Sequence, residues 1–247
     1  MIIKVLYEEL CPSEFKERLE QCPVAYLPLG TLEWHGPHLP LGTDGIESKG
    51  LFMELAQKIG GIVLPPLFLG PDRLYHDPVQ EFYGMDIYKG DTIMEYTMRQ
   101  LTGSAYWIPD QLYHDLLLAI AFQLHRAGFK ILVAHGHGPS TNQFLAAGNE
   151  IEEKFHLKCI SAWDFCQEKR LKFQYDHAAA NETSITMELR PELVQLDRII
   201  SGEEKPIGIA GADPRVYASS EYGREIIDYT VKCMSEEILN LLHQKDI

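Results

Sequence analysis

The chain has 247 residues, with 22 Lys and Arg against 36 Asp and Glu, which gives a formal net charge of −14 at pH 7. This acidic balance argues against a nucleic-acid binder, because a phosphate backbone attracts clustered basic side chains. The hydrophobic fraction of 45% and the charged fraction of 23% are those of a globular protein. A chain of this length can bury a substantial core, which excludes intrinsic disorder as its main state.

The sequence contains no apolar run close to the roughly 18 residues that cross a bilayer. At the N-terminus, MIIKVLYEEL reaches acidic residues before a signal-peptide core could form. The cysteines form no C-x-x-C pair and are predicted to be reduced thiols. They are Cys11, Cys22, Cys159, Cys166 and Cys233. We therefore expect a cytoplasmic protein with no membrane partner.

Buried strands and amphipathic helices alternate along the chain. Strands are predicted at Val24–Leu29, Ile62–Leu67, Lys130–Ala134 and Lys158–Ala162, and helices at Ile46–Ile59, Asp110–Ala127, Phe144–Phe155 and Thr183–Leu189. Glycines end the first two helices. This alternation predicts one domain, residues 1–247, with a parallel sheet covered by helices on both faces. Functional loops then leave the carboxyl ends of the strands.

The densest group of ionisable residues, TLEWHGPHLPLGTD at 31–44, follows the first strand. Glu33 and His35 are two apart, so in an extended segment their side chains point to the same face, as two metal ligands would. Asp44 follows a loop stiffened by two prolines, and its carboxylate could return to bridge two ions. The alternative is a partly exposed loop whose polar groups are satisfied locally.

A second polar group, HGHGPSTN at 135–142, follows the Lys130–Ala134 strand. Glycines on both sides of His137 allow close backbone approach, and imidazole is a common ligand for zinc or manganese. A phosphate-binding loop is excluded because both G-K-[ST] and the third glycine of G-x-G-x-x-G are missing. By itself the motif is ambiguous.

The third group, DHAAANETS at 176–184, separates His177 from Glu182 by small residues that leave room for a ligand. The alternative is a helix start in which Asn181 or Thr183 caps the helix and His177 is merely exposed.

The three groups support one another when they are combined. Each follows a predicted strand, and such loops converge at one edge of a parallel sheet. Together they supply carboxylates and imidazoles for two divalent ions, which would activate a water molecule and polarise a carbonyl group.

Three segments resemble the creatininase (creatinine amidohydrolase) family: LPLGTLEWHGPHLPLGTD at 27–44, GFKILVAHGHG at 128–138 and HAAANETSITMELRPELV at 177–194. The resemblance implies a three-layer α/β/α sandwich with a mostly parallel central sheet. It also implies two divalent ions, zinc and/or manganese, with iron as a further choice. The reaction it implies is hydrolysis of a small cyclic amide, formamide or related non-peptide C–N bond by a metal-activated hydroxide.

The resemblance also assigns roles to residues of this chain. Glu33 and His137 would hold one ion, His35 would hold the other, and Asp44 would bridge them. Glu182 is the predicted last ligand of the second ion. His177 is the predicted proton shuttle to the leaving nitrogen, a role that requires a pKa near the working pH.

The chain departs from the family pattern around its second histidine motif. The family usually reads N-G-H-G-G-N there, and creatininase itself has a glutamate ligand two positions after the histidine. In this chain His135 replaces the asparagine, two residues are inserted, and Pro139 stands at the glutamate position without a donor atom. This argues against creatinine as the substrate. The alternative function is a non-catalytic metabolite-binding protein with an incomplete metal centre.

The segment 71–107 is longer than in the family and has no sustained periodicity. It is either a substrate-covering insertion or a surface excursion that makes oligomer contacts. Its polar and aromatic residues could line a binding site or only pack together; they are Arg73, His76, Asp77, Tyr83 and Trp107. Family members commonly form hexamers, so the resemblance implies a homo-oligomer acting on a small-molecule amide.

Overall fold

The structure is a computed structural model that describes residues 4–87, 97–162, 176–200 and 206–244. Within these ranges the strands are β1 (Val24–Leu29), β2 (Ile62–Val63), β3 (Leu74–His76), β4 (Glu81–Tyr83), β5 (Ile131–Gly136) and β6 (Lys158–Ser161). The helices are α1 (Pro12–Gln21), α2 (Thr43–Ile59), α3 (Asp110–Ala127), α4 (Gly138–Phe155), α5 (Ala180–Leu189), α6 (Pro214–Tyr217) and α7 (Ser220–Leu242).

The central sheet is parallel, with the strand order β2-β1-β5-β6. All six residues of β1 are buried, as expected for a strand covered on both faces. The pairing of β1 with β5 ends at Leu29 opposite Gly136. Both strands therefore end at the same edge, and the segments that follow them start side by side.

The two faces of the sheet carry separate cores because successive strand side chains point in opposite directions. On one face Leu27 and Leu29 pack with Leu117 of α3 and Phe144 of α4. On the other face the strand side chains pack with residues of α2 and α7, including Phe52, Leu55, Ile227 and Met234. The predicted α/β/α architecture is confirmed.

Several boundaries differ from the predictions. The helix predicted from Phe144 begins at Gly138, so much of the predicted loop at 135–142 is the first turn of α4. The helix predicted from Ile46 begins at Thr43. The strand predicted as Ile62–Leu67 ends at Val63, because Pro65 and Pro66 lack the N–H that extends a ladder.

Other elements match closely or were not predicted. The helix Asp110–Ala127 has the predicted ends, and Gly128 ends it in a left-handed conformation with φ +105°. Helices α1 and α7 were missed, and α7 covers much of one sheet face. In the segment 71–107, β3 and β4 form an antiparallel hairpin, while residues 88–96 lie outside the described residues.

In the described part of the chain, we find no helix whose length and apolar character would allow it to span a bilayer.

Candidate metal centre

The segment after β1 turns back along the edge of the sheet and delivers Glu33, His35 and Asp44 to one place. The Glu33 amide donates a hydrogen bond to the Leu41 carbonyl, which closes the loop between them (3.0 Å). Glu33 and His35 are 3% and 0% exposed. Asp44 lies in the first turn of α2 rather than in the loop, so the helix fixes its direction.

The segment after β5 delivers His137. Gly136 has φ +140°, and a Cβ atom there would overlap the Leu29 carbonyl oxygen, so only glycine allows the close approach of β5 to β1. His137 then occupies the N-cap position of α4, and Pro139 lies in the first turn, where proline costs no helical hydrogen bond. The substitution of a proline for the family's glutamate is therefore compatible with the local fold.

His177 and Glu182 arrive from the start of α5. The helix predicted from Thr183 begins at Ala180, and the alternative in which Asn181 or Thr183 caps it is wrong, because both residues lie inside the helix. The Asp176 carboxylate instead accepts hydrogen bonds from the backbone N–H groups of Asn181 (2.6 Å) and Glu182 (3.4 Å). The Glu182 side chain accepts one from the Ala178 amide. Residues 163–175, between β6 and this segment, are not described.

The side chains converge on Asp44. Its Oδ2 atom lies 3.4 Å from Nε2 of His35 and 3.5 Å from Nδ1 of His137. On one flank Glu33 Oε1 lies 3.1 Å from His137 Nδ1, and on the other Glu182 Oε2 lies 3.7 Å from His35 Nε2. The structure thus brings together all of the metal ligands that the sequence analysis predicted.

Within the described residues, three sets of potential ligand atoms lie within 4.8 Å of one another. They are Glu33, Asp44 and His137; His35, Asp44 and Glu182; and Glu33, His35 and His177. Asp44 belongs to the first two sets, which places its carboxylate between two candidate ion positions.

Backbone carbonyl groups orient two of the histidines. The Nδ1–H of His35 donates to the Glu33 carbonyl (3.2 Å), so a neutral, metal-binding His35 ring would have its lone pair at Nε2, facing Asp44. The Nε2–H of His177 donates to the Trp34 carbonyl (2.8 Å), which leaves the lone pair at Nδ1. The two rings lie 4.3 Å apart between centroids. His177 is therefore adjacent to the candidate centre rather than exposed.

The pKa values of the buried side chains at the centre shift in two different ways. Burial opposes ionisation of Glu33, Asp44, His35 and His137, but their mutual attraction outweighs it. The pKa values of both carboxyls are therefore lowered and those of both imidazoles are raised. The opposite holds for Glu182, whose pKa is raised well above its usual value by burial and by neighbouring carboxylates.

The histidines outside this ion-paired group behave differently. Burial, and the positive charge of His35, lower the pKa of His177. Burial lowers the pKa of His135 to about 4, so this imidazole is neutral near neutral pH.

A cavity of about 510 Å³ opens onto the centre. His135 and Pro139 line it, as does Arg73 from the segment 71–107. Of the other residues considered in that segment, His76 forms an exposed ion pair with Glu81, and Asp77 accepts a hydrogen bond from the Val79 amide in the hairpin turn. Tyr83 stacks on Trp107, whose ring lies 6.0 Å from the His137 ring between centroids.

The donor set fits a pair of divalent cations. Among the described residues, His35 Nε2 and Asp44 Oδ2 are buried and have no hydrogen-bond partner, although buried polar atoms normally have one. Carboxylate oxygens and imidazole nitrogens are the ligands that zinc and manganese take in proteins. The excess of carboxylates around Glu182 would also be offset by a cation.

Comparison with known proteins agrees with this geometry. The sequence profile of the creatininase family, described as creatinine amidohydrolase, matches residues 8–238.

The chain belongs to the creatininase family.

Three curated relatives are similar to this chain over most of its length. Creatinine amidohydrolase of Pseudomonas putida is 25% identical over 217 residues, covering 79% of this chain and 76% of the relative. A 3-dehydro-scyllo-inosose hydrolase of Thermotoga maritima is 23% identical and is covered to 61% of its length, with 81% of this chain aligned. A mycofactocin precursor peptide peptidase of Mycobacterium ulcerans is 22% identical, with 81% of this chain and 71% of the relative covered. The names describe hydrolases with different substrates.

Solved structures of creatininase share the fold of this chain. One crystal structure of creatinine amidohydrolase has a TM-score of 0.74 at 21% identity and covers 99% of this chain and all of the other. A manganese form and a mutant of the Zn–Zn type have the same TM-score. Creatininase structures with either metal are therefore similar to this chain.

Sequence reasoning missed two acidic residues at the site. Asp72 lies 3.4 Å from His137 Nε2, and Glu47 lines the cavity from α2 while accepting a hydrogen bond from the Thr186 hydroxyl (2.6 Å). The α2 periodicity could have indicated Glu47, since it lies one helical turn after Asp44 and thus on the same helix face. No local pattern indicates Asp72.

Proposed function

We propose that the protein is a metal-dependent amidohydrolase that cleaves a small cyclic amide, a formamide or a related non-peptide C–N bond. The observation that carries this proposal is the position of Asp44, whose unpartnered Oδ2 atom lies between His35 and His137. Family membership supports the reaction class, and the differing substrates of the named relatives leave the particular amide open.

In this proposal Glu33, His137 and Asp44 would hold one ion, while His35, Glu182 and Asp44 would hold the other. When bound, two divalent ions would lower the pKa of a water molecule and polarise the amide carbonyl. Zinc and manganese are the metals that the donor set favours, and they agree with the two forms of creatininase compared above.

We assign proton transfer to His177. Its Nε2–H is held by the Trp34 carbonyl, so its Nδ1 is the atom able to take a proton and later deliver it to the leaving nitrogen. Because His177 also belongs to one of the three potential ligand sets, the assignment needs a test that separates proton transfer from metal binding.

The cavity supports a small substrate. Its volume of about 510 Å³ lies within the range typical of small-molecule sites, roughly 300–1,000 Å³. Leu51, Ile185 and Ile226 supply an apolar wall on the side of α2, α5 and α7. Arg73, from the segment 71–107, supplies a cationic group to the lining of the cavity.

The test combines metal analysis with a hydrolysis screen. Protein purified without chelator is analysed for metal per chain and assayed with creatinine, small lactams and formamides. We expect two ions per chain and turnover that a chelator abolishes. One ion or none, with no turnover on any substrate, would contradict the proposal and favour a metabolite-binding protein with an incomplete centre.

We further propose that residues 1–247 form one domain, that the protein is cytoplasmic and that it assembles as a homo-oligomer, by analogy with family members. Light scattering tests the assembly, because a monomer at assay concentration would exclude it. It would also exclude the idea that the segment 71–107 covers the active site of a neighbouring subunit.

A further inference from the structure

The third histidine of the centre, His137, lies beside a carboxylate from a distant part of the chain. His137 directs Nδ1 towards Glu33 and Asp44, while its Nε2 atom lies 3.4 Å from Oδ2 of Asp72, within ion-pair distance but without a hydrogen bond. A histidine that binds a metal through one nitrogen usually gives its other N–H to a carboxylate or a carbonyl group. For His35, that partner is the Glu33 carbonyl.

The Asp72 carboxylate is itself held in place. Its side chain is 6% exposed, and its Oδ1 atom accepts a hydrogen bond from the Arg73 amide (2.6 Å). Gly84, which follows β4, provides the space: a Cβ atom there would overlap Asp72 Oδ2 and lie 3.3 Å from Glu33 Oε2. Gly84 also has φ +51°, a conformation that favours glycine.

The same segment contacts the imidazole ring of His137. The Trp107 ring lies 6.0 Å from it between centroids, and Tyr83 stacks on Trp107 at 6.3 Å with an interplanar angle of 11°. Trp107 is fixed next to Gly70 by a bridge between their backbones. Both ends of the segment 71–107 thus reach the same metal-ligand candidate.

We infer that Asp72 is a positioning residue for His137 and that Asp72, Gly84 and Trp107 form the outer wall of one ion site. Asp72 holds the imidazole so that Nδ1 faces Glu33 and Asp44, and its negative charge makes that nitrogen a stronger donor to a cation. This inference rests on the proposed function, since it presumes that His137 binds a metal ion.

The test is the binding of Zn²⁺ to metal-depleted protein, measured by titration calorimetry with a competing chelator. Asp72→Asn keeps the side-chain shape and removes the charge. We expect wild-type protein to bind two ions and Asp72→Asn to bind one of them roughly 10- to 100-fold more weakly, a typical effect of losing such a partner. The affinity for the other ion should change by less than about twofold, because the direct ligands of that site are untouched.

Asp77→Asn is the matched control, because Asp77 lies in the same segment but its carboxylate bonds only within the hairpin turn. It should leave both affinities unchanged. Thermal unfolding of the metal-depleted proteins shows whether each variant folds. The visible spectrum of the Co²⁺-loaded protein provides a second readout, since a reoriented imidazole changes the ligand field while a distant structural effect does not.

Three outcomes would overturn the inference. Wild-type affinities in Asp72→Asn would show that Asp72 does not act on His137. Equal weakening of both ions would indicate a general structural role, and loss of one ion even at saturating Zn²⁺ would make Asp72 a direct ligand. If the wild-type protein itself fails to bind two ions, the proposed function fails instead, so the two failures are distinguishable.

Discussion

Two clusters of charged side chains in this protein differ in how their carboxylates are satisfied. Between α2, α5 and α7, the Arg224 guanidinium contacts both carboxylate oxygens of Glu54 at 2.8 Å, and its Nε lies 3.0 Å from Glu188. At the sheet edge, no Lys or Arg among the described residues forms an ion pair with Asp44 or Glu182, and Asp44 Oδ2 has no hydrogen-bond partner.

The difference separates a structural cluster from a candidate functional one. The side chain of Arg224 is 36% exposed, so its ion pairs remain partly solvated and contribute modestly to stability. The side chain of Asp44 is 10% exposed and that of His35 is fully buried. Buried charges without full compensation are costly, and the proposed metal ions would supply the missing compensation at Asp44 and His35.

The largest expected effect is that of Asp44→Ala. Removing the carboxylate shared by both ion positions should lower occupancy at both and reduce turnover to background, measured by metal analysis and hydrolysis. Asp228→Ala, which removes a carboxylate from the Arg224 cluster (3.3 Å), should keep two ions and full activity. An Asp44→Ala protein that retains two ions would break the distinction between the clusters.

Glu182→Gln should affect one ion only. The glutamine can still accept the hydrogen bond from the Ala178 amide, so the start of α5 is preserved while the charge is lost. Metal analysis after dialysis should fall from two ions towards one, whereas Glu54→Gln in the Arg224 cluster should keep both. If Glu182→Gln keeps both, the fifth ligand lies elsewhere at the centre.

His177→Ala should reduce the rate without removing metal. Loss of a proton-transfer group typically lowers turnover by about 10²- to 10⁴-fold. The measurements are turnover and metal content, with His114→Ala as a control, since His114 pairs with Glu150 (3.0 Å) away from the centre. Full activity would end the proton-transfer assignment, and loss of an ion would make His177 a ligand.

The sequence predicted the parts of the centre that follow strands of the sheet. Glu33, His35 and His137 are close in sequence to buried strands whose apolar runs are easy to recognise, and a parallel sheet brings such positions to one edge. Asp72 could not be predicted in this way. It lies 65 positions before His137, and its proximity depends on how the chain just before the β3–β4 hairpin packs against the site.

The site residues that lie on helices were only partly predictable, because their positions also depend on contacts with distant parts of the chain. The start of α5 depends on the Asp176 carboxylate, four residues before the helix, rather than on a residue next to it. The apparent capping residues therefore suggested a later start. Glu47 resembles any other carboxylate on a helix until packing against α5 buries it and pairs it with Thr186.

The smallest expected effect comes from a substitution in the Arg224 cluster, where Arg224 pairs with the Glu188 carboxylate. The Ser220 hydroxyl and the Arg224 guanidinium lower the pKa of Glu188 in the folded protein. Such a group stabilises the fold above its unfolded pKa, about 4.3, and this contribution is lost as the pH falls through the lowered folded value. Glu188→Gln should therefore reduce the free energy of unfolding at pH 7 by a few tenths to about 1 kcal/mol.

The difference between Glu188→Gln and the wild-type protein should shrink as the pH falls below about 4.3, because the wild-type carboxyl then becomes neutral as well. Urea unfolding at neutral and acidic pH measures it, and zinc binding should be unchanged at pH 7. A difference that grows on acidification would mean that Glu188 is stabilised in its neutral form. Glu188 would then favour its neutral form, as Glu182 does at the candidate metal centre. The two regions would no longer differ in how their carboxylates are stabilised.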